Sequence, residues 1–561
     1  MWRRLGCHLD MKWRLTVLNI VVSVVAGIVW MRLAYWQVLA ADELRQQAAG
    51  QRLTVVQIPG QRGEILASDG FPLAANRSNY LLYANPQKVQ LTDKWSELSH
   101  LLPASDEAKL TEKLSWTQLG WVSLTEQVSP QNKDLIEKLN LPGLGFEPRP
   151  MRFYPEGSSS AQLLGFVGRD AVGKAQGYFG LEGYYDRQLA GKSGKVVMEK
   201  DALGRPIVIS GQELFPAADG QPVRTSIDRT LQYILAVKLA QGLSRYGGSA
   251  GTITLMNPAT GQILAMVSLP NYDPSQYQQA DAALFSNPVV ADAYEPGSTF
   301  KIVTMAAALD AGVVKPESIC DMCGSPVQIG EYSIRTWNDK YYPRSSVTEV
   351  LVHSDNVGMV WVVKQLGLDK FIQYLHKFGI GVQTGIDLQD ESSPVLRSGR
   401  AWSEIDLATA AFGQGIAVTP IQMLRAAAVI ANGGKLIDPS VAKKDLATGR
   451  QVISEIAAAQ MTAMMVKAVE DGEAKWAKPA GYTVAGKTGT AQIPVAGHYD
   501  SQKTIASFVG FAPAINPKFV MLVTIKEPQS SPWGSETAAP LWFDVAKELW
   551  RYFQIAPDKQ V

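Results

Sequence analysis

Residues 15–31 read LTVLNIVVSVVAGIVWM, a run that no charge interrupts, and 33–39 (LAYWQVL) continue it after Arg32. A spanning helix needs roughly 20 apolar residues, a length reached once Arg32 snorkels and Tyr35 and Trp36 sit at an interface. The run is apolar on every side, which argues against a helix of a soluble domain. It is longer than the core of a cleaved leader and ends in bulky Trp30, Met31 and Arg32, so an anchor is preferred over a signal peptide. Arg3, Arg4, Lys12 and Arg14 precede it, and Asp42 and Glu43 follow. The positive-inside rule then places the N-terminus in the cytoplasm and the chain beyond about residue 40 outside.

Residues 43–56 are polar and fit either a helix continuing from the anchor or a strand. Residues 61–66 and 72–74 flank Asp69-Gly70 and predict strand, turn and strand. Residues 92–140 carry Lys, Glu and Leu at helical spacing. Near residue 225 the texture changes. Residues 229–246 predict a helix capped by Ser226 or Asp228. GTITLM (251–256) and QILAMV (262–267) enclose Asn257-Pro258-Ala259-Thr260-Gly261 and predict a hairpin. Residues 505–511 and 519–525 repeat that apolar pattern, and 544–553 predict a closing helix. Strands at both ends with helices between them predict one mixed α/β domain whose sheet is built from its two termini.

Composition changes this picture little. The 561 residues are 46% hydrophobic and 19% charged, ordinary for globular protein. A net charge of +1 points to no polyanionic partner, so nucleic acid is not expected. Three cysteines make no disulfide framework, and Cys320 with Cys323 is two sulfurs short of a zinc site. A local disulfide is open to that pair outside the cytoplasm. Two loop thiols with no role in catalysis is the plainer reading and the preferred one.

Candidate chemistry lies in three short motifs. Ser298-Thr299-Phe300-Lys301 follows Glu295-Pro296-Gly297 and precedes helix-compatible residues 302–309, so Ser298 is expected near a helix N-terminus with Lys301 on the same face. A neighbouring amine activates a serine when desolvation or another cation lowers its pKa. Backbone N–H groups at a helix start stabilise an oxyanion. Ser354-Asp355-Asn356 opens another apolar helix, where its hydroxyl and carboxamide suit proton relay and peptide binding, or merely a cap. Lys487-Thr488-Gly489-Thr490 reads as a strand for a substrate backbone, with Lys487 for a carboxylate and Gly489 for close approach. Each motif alone is common.

Together and in this order they are the signature of penicillin-binding proteins and class A β-lactamases, and the chain resembles the class B penicillin-binding proteins. Arg62-Gly63-Glu64-Ile65, Arg152-Phe153-Tyr154-Pro155, Gly180-Leu181-Glu182, Phe412-Gly413-Gln414-Gly415 and Ala431-Asn432-Gly433-Gly434 carry the resemblance from the anchor almost to the C-terminus. It implies a mixed α/β fold: a transpeptidase domain of penicillin-binding-protein and serine β-lactamase type, with an antiparallel sheet and a helical subdomain, on an elongated α+β N-terminal pedestal. The expected division is a tail (1–14), an anchor (15–38), a pedestal (40–220) and the transpeptidase domain (221–561).

The resemblance also implies roles. Ser298 is the acylated nucleophile and Lys301 its base. Ser354 and Asn356 relay protons and contact substrate. Lys487, Thr488, Gly489 and Thr490 bind the donor peptide, and backbone N–H groups of Ser298 and Thr490 form the oxyanion hole. The implied activity is peptidoglycan D,D-transpeptidation of D-Ala-D-Ala stem peptides, with covalent binding of β-lactams and no metal or organic cofactor. Implied partners are a SEDS-family glycosyltransferase in the membrane and other membrane proteins of the divisome or elongasome. Residues 487–494 and 507–513 look most like the division-type branch. Ser530 to Glu536 departs from the glycine-rich loop expected there, which keeps the elongation-type branch open. A β-lactam sensor of the same fold is a further competitor, and a catalytically silent scaffold of the division machinery is the alternative of a different class.

Overall fold

The structure, a computed structural model, describes residues 6–58, 60–89, 94–102, 107–199, 213–397, 399–443, 448–495 and 498–558. It divides into two compact units, residues 1–61 with 191–219, and residues 62–190 with 220–561.

In the first unit a helix over Gly6–Ala34 runs into a wider turn at Tyr35–Leu39. Within Met11–Leu39 the most apolar stretch of 18 residues has a mean hydropathy of 2.1 and lies unburied, as expected of a segment whose solvent is lipid. The choice left open for 43–56 resolves into both forms. ADELRQQAAGQR is rich in good helix formers and is helical over Ala41–Arg52, whereas LTVVQI is largely β-branched and is a strand over Leu53–Ile58. That strand pairs antiparallel with Gly194–Glu199, which pairs in turn with Glu213–Phe215.

The second unit holds the predicted sheet. Strands β1 (Ala250–Met256), β2 (Ile263–Leu269), β3 (Ala485–Val495), β4 (His498–Ala512) and β5 (Phe519–Lys526) form one antiparallel sheet in the order β2-β1-β5-β4-β3. It is built from the two ends of the domain. Alternation decides its faces. On β5, Phe519, Met521, Val523 and Ile525 join one core, while Val520 and Leu522 join the other. The first core is closed by helices α1 (Arg229–Tyr246) and α6 (Ala538–Tyr552); the second by α2 (Lys301–Asp310), α3 (Asn356–Leu366), α4 (Pro420–Ala431) and α5 (Glu455–Glu470). Asp228 caps α1 by accepting from the Leu231 N–H at 3.0 Å, and Ser226 donates instead to the carbonyls of Ile263 and Val441.

The helical expectation for 92–140 needs one correction. Helices occupy Lys94–Leu101, Glu107–Leu114 and Pro130–Lys138, but Val122–Val128 is a strand paired with Tyr80–Ala84. Its sequence, VSLTEQV, alternates and is β-branched at both ends, so period two prevails over the helical spacing around it. Nearby, Ile65–Leu66 and Pro72–Arg77 pair around Gly70, whose φ of +86° suits glycine.

A closed ionic cluster sits in the same unit. Glu182 is fully buried and accepts from Arg62 Nε at 2.7 Å and Arg152 Nε at 2.6 Å. Asp186 accepts from Arg62 Nη1 at 2.7 Å, and Asn76 accepts from Arg152 Nη1 at 3.1 Å. Cys320 and Cys323 are disulfide-bonded, with sulfurs 2.09 Å apart, and are buried. This corrects the preferred reading of two loop thiols: a buried position and a Cα separation of 5.7 Å bring the sulfurs together.

Candidate active site

Ser298 lies in a tight turn, Gly297–Phe300, that opens directly into α2. Gly297 has φ +52°, and a Cβ there would lie 2.6 Å from the Thr490 carbonyl oxygen. A Cβ on Gly413 would lie 2.2 Å from the Gly297 carbonyl oxygen. Both glycines therefore let three stretches of backbone meet around the serine. Gly489 plays a similar part. A side chain on it would collide with the Thr299 methyl at 2.7 Å and Ser507 Oγ at 2.6 Å. The close approach it permits is that of the Ser298 turn itself, which packs onto β3, the edge strand of the sheet.

Lys301, on the first turn of α2, is fully buried. Its ammonium donates to the Ser354 carbonyl at 2.6 Å, to Asn356 Oδ1 at 2.8 Å and to Ser354 Oγ at 3.3 Å. Ser354 has φ +54°, the left-handed conformation that turns both its carbonyl and its hydroxyl toward one amine. Asp355 caps α3, its Oδ1 accepting from the N–H groups of Val357 and Gly358. Asn356 is fixed from its other end, Nδ2 donating to the Arg335 carbonyl at 3.0 Å.

Lys487 on β3 is buried and donates to the Thr488 carbonyl at 3.2 Å and to Thr488 Oγ1 at 3.1 Å. Burial pulls the Lys487 ammonium below the usual lysine range, against the attraction of Glu473. Lys301 is brought down to about 7, first by burial and then by the Lys487 charge, with Asp355 and Glu473 opposing. Two desolvated cations side by side thus leave one amine poised near neutrality.

Above these groups opens a cavity of about 400 Å³. Ser298, Ser354, Asn356, Thr488, Gly489 and Thr490 line it, so the three motifs converge on one space. Lys301 and Lys487 lie among its buried supports. The cavity also shows what the motifs missed. Glu473, Trp337 and Trp533 line it, the two indoles meeting edge to face at 5.1 Å. Trp337 donates to the His353 carbonyl. None of these carries a motif of its own. Phe412 and Gln414 also line it, within a stretch the family resemblance had already marked.

A serine at a helix start, a buried amine of lowered pKa and a strand edge for a peptide define a serine acyl-transfer enzyme. The model of the penicillin binding protein transpeptidase domain matches residues 251–549, and that of the penicillin-binding protein dimerisation domain matches residues 57–225. Stage V sporulation protein D of Bacillus subtilis is 33% identical, over 94% of this chain and 84% of that protein. Peptidoglycan D,D-transpeptidase FtsI of Escherichia coli is 30% identical, over 98% of this chain and 93% of that protein. Penicillin Binding Protein 2X from Streptococcus thermophilus has a structure that superposes with a TM-score of 0.74 at 25% identity, over 89% of this chain and 80% of that one. The chain belongs to the class B penicillin-binding proteins, the serine D,D-transpeptidases of peptidoglycan. Its apolar N-terminal helix fits a single-pass membrane anchor.

Proposed function

We propose that this chain cross-links peptidoglycan stem peptides through an acyl-enzyme on Ser298, in the synthesis of the septal wall. The convergence of Ser298, Lys301, Ser354, Asn356, Thr488 and Thr490 on one cavity and its buried floor carries this reading. Ser298 Oγ attacks the carbonyl carbon of the D-Ala-D-Ala peptide bond and gives its proton to the neutral Lys301 amine, directly or by way of Ser354. The C–N bond breaks, D-Ala leaves with a proton, and an ester remains on Ser298. The amine of a neighbouring stem attacks the ester, forming the cross-link and returning the serine. N–H groups of Ser298 and Thr490 hold the oxyanion in both steps. Lys487 receives the donor's terminal carboxylate, with Thr488 and Thr490 beside it. The Ser298 hydroxyl makes no hydrogen bond among the described residues; a donor seated along β3 draws it toward the amine, as catalytic contacts tighten in the complex. β-Lactams acylate the same oxygen.

The charge pattern around the anchor supports a cytoplasmic N-terminus with the catalytic domain outside. Residues 40–220 then form the pedestal and 221–561 the transpeptidase domain. The resemblance to division-type relatives supports a septal role and, within the membrane, a SEDS-family glycosyltransferase and other divisome proteins as partners. Fluorescent penicillin tests the central assignment. The wild-type chain is expected to label covalently and Ser298→Ala, folded by its thermal transition, is expected not to. Labelling retained in the variant refutes the nucleophile.

A further inference from the structure

Glu473 is a carboxylate inside the cavity that none of the three motifs supplies. It lies on the turn just past the end of α5 (Glu455–Glu470). That turn has little freedom. A Cβ on Gly472 would meet the Ala468 carbonyl oxygen at 2.2 Å and the Val352 carbonyl oxygen at 2.9 Å. The turn is thus pressed against the segment that leads into Ser354. Glu473 Oε2 accepts from Thr488 Oγ1 at 3.3 Å, and Thr488 Oγ1 accepts from the Lys487 ammonium at 3.1 Å. Lys487 makes no direct ion pair among the described residues, so the hydroxyl is its route to a carboxylate.

A hydroxyl has one proton to donate. Thr488 donates that proton to Glu473, which turns an oxygen lone pair toward Lys487. Thr490 is arranged differently: its Oγ1 accepts from the Gly534 N–H at 3.0 Å, leaving its own proton for a substrate. The two threonines beside Gly489 therefore do different work, one holding the cation and one facing the ligand. Charged groups around the Lys487 ammonium are Glu473 from the turn after α5, Lys301 from α2 and, beyond Lys301, Asp355 from the cap of α3.

We propose that Glu473 is a positioning residue for acyl transfer, its carboxylate acting through the Thr488 hydroxyl to balance and aim the Lys487 ammonium that receives the donor's terminal carboxylate. The inference rests on the role assigned to Lys487 above. Once the donor's D-Ala has left, Glu473 also remains as the anion beside Lys487 while the second stem arrives.

The test uses the full-length chain in detergent and two probes, benzylpenicillin and its methyl ester, from about pH 6 to about pH 9. The ratio of their acylation rates reports pairing of the free carboxylate with Lys487. Ionisation of Lys301 alters both rates alike and cancels. In the wild type the ratio is high and declines only where Lys487 loses its proton. Glu473→Gln keeps an acceptor for Thr488 but removes the charge that favours the ammonium, so the decline is expected to begin at lower pH and the ratio at the upper end to be smaller than in the wild type. Glu473→Asp restores the charge and the wild-type profile. Superimposable profiles for wild type and Glu473→Gln overturn the proposal while leaving Lys487 as the carboxylate site. A wild type that shows no preference for the free acid at any pH overturns the Lys487 assignment, and this proposal with it.

Discussion

Two buried clusters of charge in the second unit obey opposite designs. Around Glu182, two arginines meet two carboxylates with short, direct bonds of 2.6 and 2.7 Å, and an asparagine takes up a further donor. Around Ser298, two lysines are buried with no direct ion pair among the described residues. Asp355 spends one oxygen on the start of α3, and Glu473 reaches Lys487 only through a hydroxyl. A charge-balanced cluster offsets much of its desolvation and ties distant segments together, since Arg62, Arg152 and Glu182 lie far apart in the chain. A cluster short of anions leaves desolvation uncompensated, and the amine itself gives way by surrendering its proton readily. The first arrangement serves the fold and the second serves the chemistry.

Mutation can break this contrast. Lys301→Met is expected to lower penicillin acylation by about a thousandfold or more, because it removes the proposed base. It removes a buried charge without a direct ion pair but leaves the Ser354 carbonyl and Asn356 Oδ1 without their donor, so stability in guanidinium unfolding should fall by about 1–2 kcal/mol. Glu182→Gln should do the reverse. With one charge gone, Arg62 and Arg152 face each other partly unpaired, and the expected loss is about 3–5 kcal/mol. The fraction that stays folded should acylate at the wild-type rate. Equal stability losses in the two variants would erase the distinction.

The smallest effect sharpens the contrast instead of breaking it. As the proposed base Lys301 acts in its neutral form, and burial with the Lys487 charge brings its pKa down to about 7. The acylation rate should therefore rise with pH through about 7 and level off above it, falling roughly tenfold for each unit below. A profile flat across that region would mean that Lys301 carries no titrating role in the free enzyme. The Glu182 cluster should leave the same profile unchanged.

Much of the fold was legible because it follows local periodicity. The hairpin at 251–267, the paired strands near 505–525, the capped helix after Asp228 and the closing helix all appear where alternation, turn residues and cap residues place them. The short strand at Val122–Val128 was hidden by helical spacing on both sides. The disulfide was left open, because spacing alone does not state whether two loop sulfurs face each other. At the site, Ser298, Lys301, Ser354, Asn356, Lys487, Thr488, Gly489 and Thr490 were named from three short motifs. Glu473, Trp337 and Trp533 were not, for each is an ordinary residue on an ordinary turn until the chain closes over it.

The sequence by itself determined the apolar N-terminal helix, most of the strands and helices of the second unit and the candidate side chains of the site, since these depend on hydrophobic period and on residue type. Only the tertiary structure decided what surrounds those side chains. It placed Lys301 on Ser354 and Asn356, packed the Ser298 turn onto Gly489 and brought Glu473 to Thr488. The physical reason is that desolvation and charge proximity fall steeply with distance in space and take no account of distance along the chain.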